Sequence, residues 1–424
     1  MQSQCDRSGG PAPCVFRTPI LLAGNWNKNT MKFTFFNTQS IPVAKTGKMR
    51  TRRVLILALA VGLAVLSTAS MNIESAHAGK PVPPPPLPPV RFQLTIAPTS
   101  IPVVITGMND FGELVGIYNN SAGRGSSACI VKGAEITFLE NIVAAPAGWY
   151  YGGANAINNT GSIVGYMYST NPDITIKHGF VIHRPLGLPA YVKEIPDSGL
   201  GQPVYLDAIN DDGVLVGTTW DPITSASRVF VYDTQTEGSE VTLLGINMRG
   251  FIGINNAPFP KVFGCLRDGN AFIYTLGGTL ETPPYPNILA MNDQGAYCGR
   301  FTQTINRQTY NIAYRYSTWG GAQTFSDAKG GASEINEHGD MIFGNIKLGS
   351  EVQLYSQGLG TLNLGSLVVG NATEVSLFRN NSLLVRGLTE RGSLNPFMPG
   401  FPAIGGVING TNILVPFTLT PVAP

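Results

Sequence analysis

An all-β repeat fold, a β-propeller built from four-stranded blades, is what three observations on this 424-residue chain predict. The first is a motif that recurs at roughly 40–50 residues, the length of one blade. The second is composition. The chain has 50 Gly and 31 Pro, and only 13% of its residues are charged against 43% hydrophobic, which suits many short strands joined by tight turns. The third is near-period-two spacing of apolar residues on either side of each motif turn, the mark of a half-buried strand.

In the motif an apolar strand runs into Asn, two variable residues and Gly. An apolar pair and a second Gly follow, then a loop of variable length, then an aromatic strand. The clearest copies are Ala156-Ile157-Asn158-Asn159-Thr160-Gly161 with Val164-Gly165, and Ala208-Ile209-Asn210-Asp211-Asp212-Gly213 with Val216-Gly217. The turn asparagines are Asn109, Asn158, Asn210, Asn255, Asn292 and Asn336, with Asn380 in a worn last copy. The second glycines are Gly116, Gly165, Gly217, Gly264, Gly299 and Gly344, with Gly387 in the last copy. Successive asparagines lie 49, 52, 45, 37, 44 and 44 residues apart. This favours seven blades, with six or eight blades or an open repeat as alternatives.

Each motif residue has a structural reason. Asn hydrogen-bonds backbone further along the turn, and the turn Gly supplies positive φ. The second Gly is expected to remove a side chain where neighbouring sheets crowd. The aromatic is expected to fill the gap between blades. Either Phe92–Ile96 or Val415–Leu419 is expected to complete a blade begun at the other terminus, which removes a sheet edge.

At His178-Gly179-Phe180 and Asn270-Ala271-Phe272, each following an Ile-Asn core, the chain resembles the HAF repeat of bacterial extracellular repeat proteins. The resemblance covers roughly residues 100–400 and no copy keeps the full His-Ala-Phe triplet. It implies export and a repeat architecture, and it brings no catalytic residues.

The N-terminal part reads as a leader. Residues 54–66 are continuously apolar, preceded by Lys48, Arg50, Arg52 and Arg53 and followed by Ala76-His77-Ala78. A charged region, a short apolar core and a small-x-small site make a secretory signal peptide. The organisation expected is an unstructured extension at 1–48, a signal peptide at 49–78, a Pro-rich linker at 79–90 and the propeller at 91–424. A secreted protein, extracellular or periplasmic, follows.

Beyond Ala78 there are 19 basic and 24 acidic residues, a balance of −5. No basic run occurs there, which argues against nucleic acid and against a membrane surface as partners. A monomer is expected. Cys129, Cys265 and Cys298 each lie in an apolar run, as buried free thiols would, with one disulfide plus one thiol as the alternative.

A search for chemistry yields little. His178 and His183 are separated by an odd interval in one strand and so fall on opposite faces, unsuited to sharing a metal. Asp207, Asn210, Asp211 and Asp212 form the densest acidic cluster, but Ala208 stands where a calcium loop needs its first ligand. Glu334, Asn336 and Gly339 imitate the same loop only in part. No catalytic residue, cofactor site or metal site is assigned. Trp149, Tyr150, Trp220 and Asp221, with Trp319, are the candidates for a surface contact, because aromatics beside loops can stack on sugar rings. The chain therefore reads as an exported binding module for a protein or glycan, more an interaction protein than an enzyme. An extracellular glycan hydrolase or lyase using loop carboxylates is the alternative.

Overall fold

The computed structural model describes residues 90–423, apart from 100–101, 121–124, 174–176, 196–203, 319, 345–348, 396–399 and 411–413. The leader, most of the Pro-rich linker and Trp319 lie outside the described residues.

The strands pair antiparallel in chain order, and the pairing divides into four-stranded units. The first is Val103–Met108, Glu113–Asn120, Gly125–Lys132 and Glu135–Phe138. The second is Trp149–Ile157, Ile163–Ser169, Lys177–His183 and Tyr191–Glu194. The long strand Thr242–Ile254 ends the third unit and begins the fourth: Thr242 to Met248 pair back with Ala226–Asp233, and Met248 to Ile254 pair forward with Lys261–Leu266. Units five and six open with Ile288–Met291 and Ala332–Ile335. The last unit is ordered Ser382–Leu388, Ile404–Asn409, Leu414–Val422 and then Arg91–Ile96, so the N-terminal strand is its fourth strand, and the short Val368–Val369 pairs parallel with it on the outside. The edge is removed as expected.

The first strand of each unit lies against the first strands of its two neighbours, and that of the last unit lies against that of the first. The units therefore stand radially about a central axis, in a β-propeller. The core lies between them. Phe180 of the second unit is buried with Val115 and Ile130 of the first, and Phe230 of the third with Val164 and Val181 of the second. Burying a side chain of this size contributes about 1.5–3 kcal/mol.

The turn asparagines do more than close their own hairpins. The Asn158 Oδ1 accepts from the Ser162 N–H, and Gly161 takes φ of 84°. At the same time the Asn158 Nδ2 donates to the Asn210 carbonyl of the next unit at 2.7 Å. Asn109, Asn210, Asn255 and Asn292 repeat this reach to the following asparagine. All these side chains are buried. The repeat Asn is thus a strut between blades as well as a turn residue.

The residue after each Asn builds a second set of bonds. The Asp110 N–H donates to Asn159, Asn159 to Asp211, Asp211 to Asn256, Asn256 to Asp293, Asp293 to Glu337 and Glu337 to Glu390. The Glu390 N–H donates to the Asp110 carboxylate at 2.8 Å, which closes the cycle.

Two expectations need correction. Asn380 is not a turn residue; it ends the helix Ala372–Asn380. The seventh turn is Thr389-Glu390-Arg391-Gly392, whose Thr389 carbonyl accepts from Asn336. Gly387 likewise belongs to the first strand of that unit, and Gly406 takes the place of the second glycine there.

The second glycines also serve a different purpose from the one expected. In the first, third, fifth, sixth and last units the first strand bulges one residue before its pairing with the second strand resumes. The bulge drives a backbone carbonyl of the same sheet into the space where a Cβ would stand: Val104 at Gly116, Tyr205 at Gly217 and Asn287 at Gly299. The aromatic ring opposite closes over the same glycine, as Phe230 does at Gly217 and Tyr314 at Gly299. The crowding is within a sheet rather than between sheets. Gly217→Ala should therefore lower stability by about 3 kcal/mol through overpacking. Gly400→Ala, facing open space, should change it by less than about 0.5 kcal/mol. Urea denaturation of the two variants checks both.

Candidate functional site

The two ends of the propeller differ in chemistry. One carries the Asn turns and the cycle of bonds just described. Five of the seven acceptors there are carboxylates: Asp110, Asp211, Asp293, Glu337 and Glu390. Asn159 donates to Asp110 and to Asp211, separating those two charges. From Asp293 through Glu337 and Glu390 to Asp110 no amide intervenes. Burial, with the charges of Asp293 and Glu390 beside it, pushes the Glu337 carboxyl up to about 7. Asp110 and Asp293 are raised for the same leading reason. His338 pairs with Glu390 at 2.9 Å.

The opposite end carries the variable loops, and all the sequence-named contact residues that are described lie there. Trp149 and Tyr150 begin the first strand of the second unit, where Tyr150 pairs with Tyr168 and Tyr168 with Lys177. Three rings come together around one ammonium: the Lys177 Nζ lies 4.4 Å from the Tyr166 ring centroid, 5.0 Å from Tyr168 and 5.9 Å from Tyr205 of the third unit. Tyr168 also meets Tyr150 at 5.7 Å and Tyr166 edge-on at 5.4 Å. Gly152 and Gly153 make this possible, since a Cβ on either would collide with the Tyr168 or Tyr166 ring. Burial, with Tyr168 close by, pushes the Tyr166 hydroxyl up to about 12, so it stays a neutral donor at any physiological pH. Beside this cluster Trp149 lies on His178 at 4.0 Å, and His178 is hydrogen-bonded to Glu194.

Trp220 stands at the same end of the third unit and is 43% exposed. Asp221 is only 3% exposed: its Oδ1 accepts from the Ile223 and Thr224 N–H groups and its Oδ2 pairs with Arg228. Asp221 thus holds the turn that presents Trp220 and the exposed Ile223. Lys177, Tyr166, Tyr168 and Tyr205 were missed in the sequence. The available signal was Tyr166 and Tyr168 two apart on one strand, hence on one face.

Two further carboxyls sit on first strands. Asp207 occupies the bulge of the third unit, where burial pushes it up to about 7. Glu334 stands in the sixth unit where the six other units carry Gly or Ala: Gly107, Ala156, Ala208, Gly253, Ala290 and Gly387. Burial pushes it up to about 8 against the opposing charge of Arg386. Cys129, Cys265 and Cys298 form no disulfide with one another; Cys129 and Cys298 are buried and Cys265 is partly so. His183 is buried against Ser162, away from the half-exposed His178. Among the described residues no group of three His, Cys, Asp or Glu has the geometry of a metal site.

No family model matches the chain and no curated protein matches it. Among solved structures it is similar to the β-propeller domain of the Trilobed protease from Pyrococcus furiosus, at 13% identity and a TM-score of 0.47, over 77% of this chain and 96% of that one. It is similar to AofleA from Arthrobotrys oligospora, at 9% identity and a TM-score of 0.35, over 80% of this chain and 87% of that one. It is similar to the Aleuria aurantia lectin, at 11% identity and a TM-score of 0.30, over 65% of this chain and 94% of that one. The propeller described above rests on the chain's own strand pairing.

Proposed function

We propose that the chain is an exported, closed seven-bladed propeller that acts as a binding module, with its recognition surface at the loop end of the second and third units. The observation that carries this reading is the gathering of Tyr166, Tyr168 and Tyr205 around Lys177, with Tyr150 against Tyr168 and Trp149 against the adjoining His178. Large rings with polar tips supply contact area at small entropic cost, and they accept the C–H faces of sugars while their hydroxyls and a nearby ammonium hydrogen-bond the rims. The signal-type leader supports export. The closed cycle of bonds at the other end supports a rigid platform, on which loop residues are held in place.

A second reading, a hydrolase or lyase acting on extracellular glycans, is favoured by Asp207 and Glu334, two first-strand carboxyls with acid-form character near neutral pH. They lie in the third and sixth units, and neither is perturbed by the other's charge.

One experiment separates the two. The full chain is passed over a panel of immobilised cell-wall and matrix glycans, and soluble fragments are assayed for new reducing ends. Retention without cleavage, lost in Trp149→Ala and Tyr168→Ala, is the expected result. Cleavage abolished by Asp207→Asn or Glu334→Gln, with retention intact, would replace the binding module with the enzyme. No retention on any glycan would remove the first reading.

A further inference from the structure

Lys177 is the feature of this surface that core packing does not explain. The residue is half-buried, yet among the described residues the partners of its ammonium are three tyrosine rings and no carboxylate. Cation–π contacts of this kind attract the ammonium to the ring faces and leave its net charge in place. Nearby, Glu194 is engaged by His178. Two of the rings are fixed, since Tyr166 and Tyr168 lie on the backbone of Gly152 and Gly153, and Tyr205, 39% exposed, comes within 5.9 Å of the ammonium from the third unit. A positive centre is thus held in place in a wall of aromatic faces, with no carboxylate on it among the described residues.

We propose that Lys177 is the anchoring residue for the carboxylate of an acidic sugar, and that the module's ligand is a uronate-containing polysaccharide. This rests on the binding-module reading above. In the bound state the uronate carboxylate accepts a charge-assisted hydrogen bond from the Lys177 Nζ. The pyranose face lies on Tyr205 or Tyr150, and the next residue of the chain extends toward Trp149 or Trp220. An acidic peptide fits less well, since peptide recognition draws on main-chain pairing at a sheet edge or on an apolar groove. Here the groups on offer are rings and one ammonium.

The test uses the full chain and three acidic probes, oligogalacturonate, oligoalginate and hyaluronan fragments, each beside its carboxyl-methylated form, with poly-glutamate and neutral glycans run alongside and titration calorimetry as the readout. At least one acidic probe should bind. Methylation should weaken that binding about tenfold, the worth of one charge-assisted hydrogen bond. Lys177→Met should match the loss caused by methylation and abolish the difference between the two forms. Lys177→Arg, which keeps the charge, should restore most of the affinity; its recovery shows that the Met variant did not simply misfold. Binding that is indifferent to methylation, or unchanged in Lys177→Met, would overturn the acidic-sugar assignment while leaving a glycan-binding module standing. Binding only to poly-glutamate would overturn it in favour of a peptide. Binding to nothing, neutral glycans included, would remove both readings.

Discussion

Arg391→Met should lower the stability of the propeller by about 3–5 kcal/mol, the cost of leaving a buried charge without its partner. The Asp340 side chain is 0% exposed and receives a two-pronged grip from Arg391, Nε to Oδ2 at 2.8 Å and Nη2 to Oδ1 at 2.6 Å. The same Nη2 donates to the buried Ser356 hydroxyl. Arg391 belongs to the seventh turn and Asp340 to the sixth unit, so the pair ties the closing blade to its neighbour. The double variant Asp340→Met/Arg391→Met should recover most of the loss, because no charge is then stranded. Guanidinium denaturation of the two variants measures this. A single variant within about 1 kcal/mol of the parent would mean that water reaches Asp340. Glu113 makes a milder version between the first two units: burial raises its carboxyl, but the hydrogen bond and charge of Arg184 outweigh that and hold it below its ordinary value.

The contrast between the sixth and seventh turns also explains what could be read from the sequence. Six turns carry Asn because that residue must accept from its own hairpin and donate to the next blade, and no other side chain of that length does both. The seventh is asked for less. Its neighbour Asn336 needs only the Thr389 backbone carbonyl, and the cycle draws on the N–H and carboxylate of Glu390 and on nothing from the Thr389 side chain. Thr389 therefore suffices, with its hydroxyl turned to the Glu390 carbonyl. The Asn380-Asn381 pair was a decoy at the right spacing. Turn and strand chemistry is local and was legible, as was the strand exchange that closes the ring. Which carbonyl crowds each second glycine was not, because the bulge that moves it is a property of the pairing. The recognition surface was half legible for the same reason. Trp149 and Tyr150 stand out as aromatics beside a loop, whereas Lys177 and Tyr205 join them only through strand register and the neighbouring unit.

Stability should rise as the pH falls from about 8.5 to about 6.5, contrary to the usual behaviour of paired surface carboxylates. Burial holds Glu334 at about 8 and Asp207 and Glu337 at about 7, all far above an unfolded carboxyl near 4. A carboxyl whose folded value is raised binds its proton more tightly when folded. Its contribution is complete below the unfolded value and is lost as the pH rises through the folded one. For these three groups that loss begins near the unfolded value of about 4, runs progressively upward and ends around pH 7–8, so the window covers its last part. Asp110 and Asp293 act in the same direction. His183 opposes them lower down: burial, with the charge of Lys193, depresses its value, so it costs stability only as the pH falls below its ordinary 6.5. Glu113, held low, matters only in acid. Within the window the three carboxyls together change stability by about 3 kcal/mol, or roughly 5 °C in Tm for a domain of this size. Glu334→Gln should raise Tm at pH 8.5 and flatten more than half of the slope, since Glu334 has the highest value of the three. Calorimetry across the window decides it. A Tm that is flat, or that climbs with pH, would mean that solvent enters the first-strand layer and leaves these carboxyls ionised as they would be at the surface.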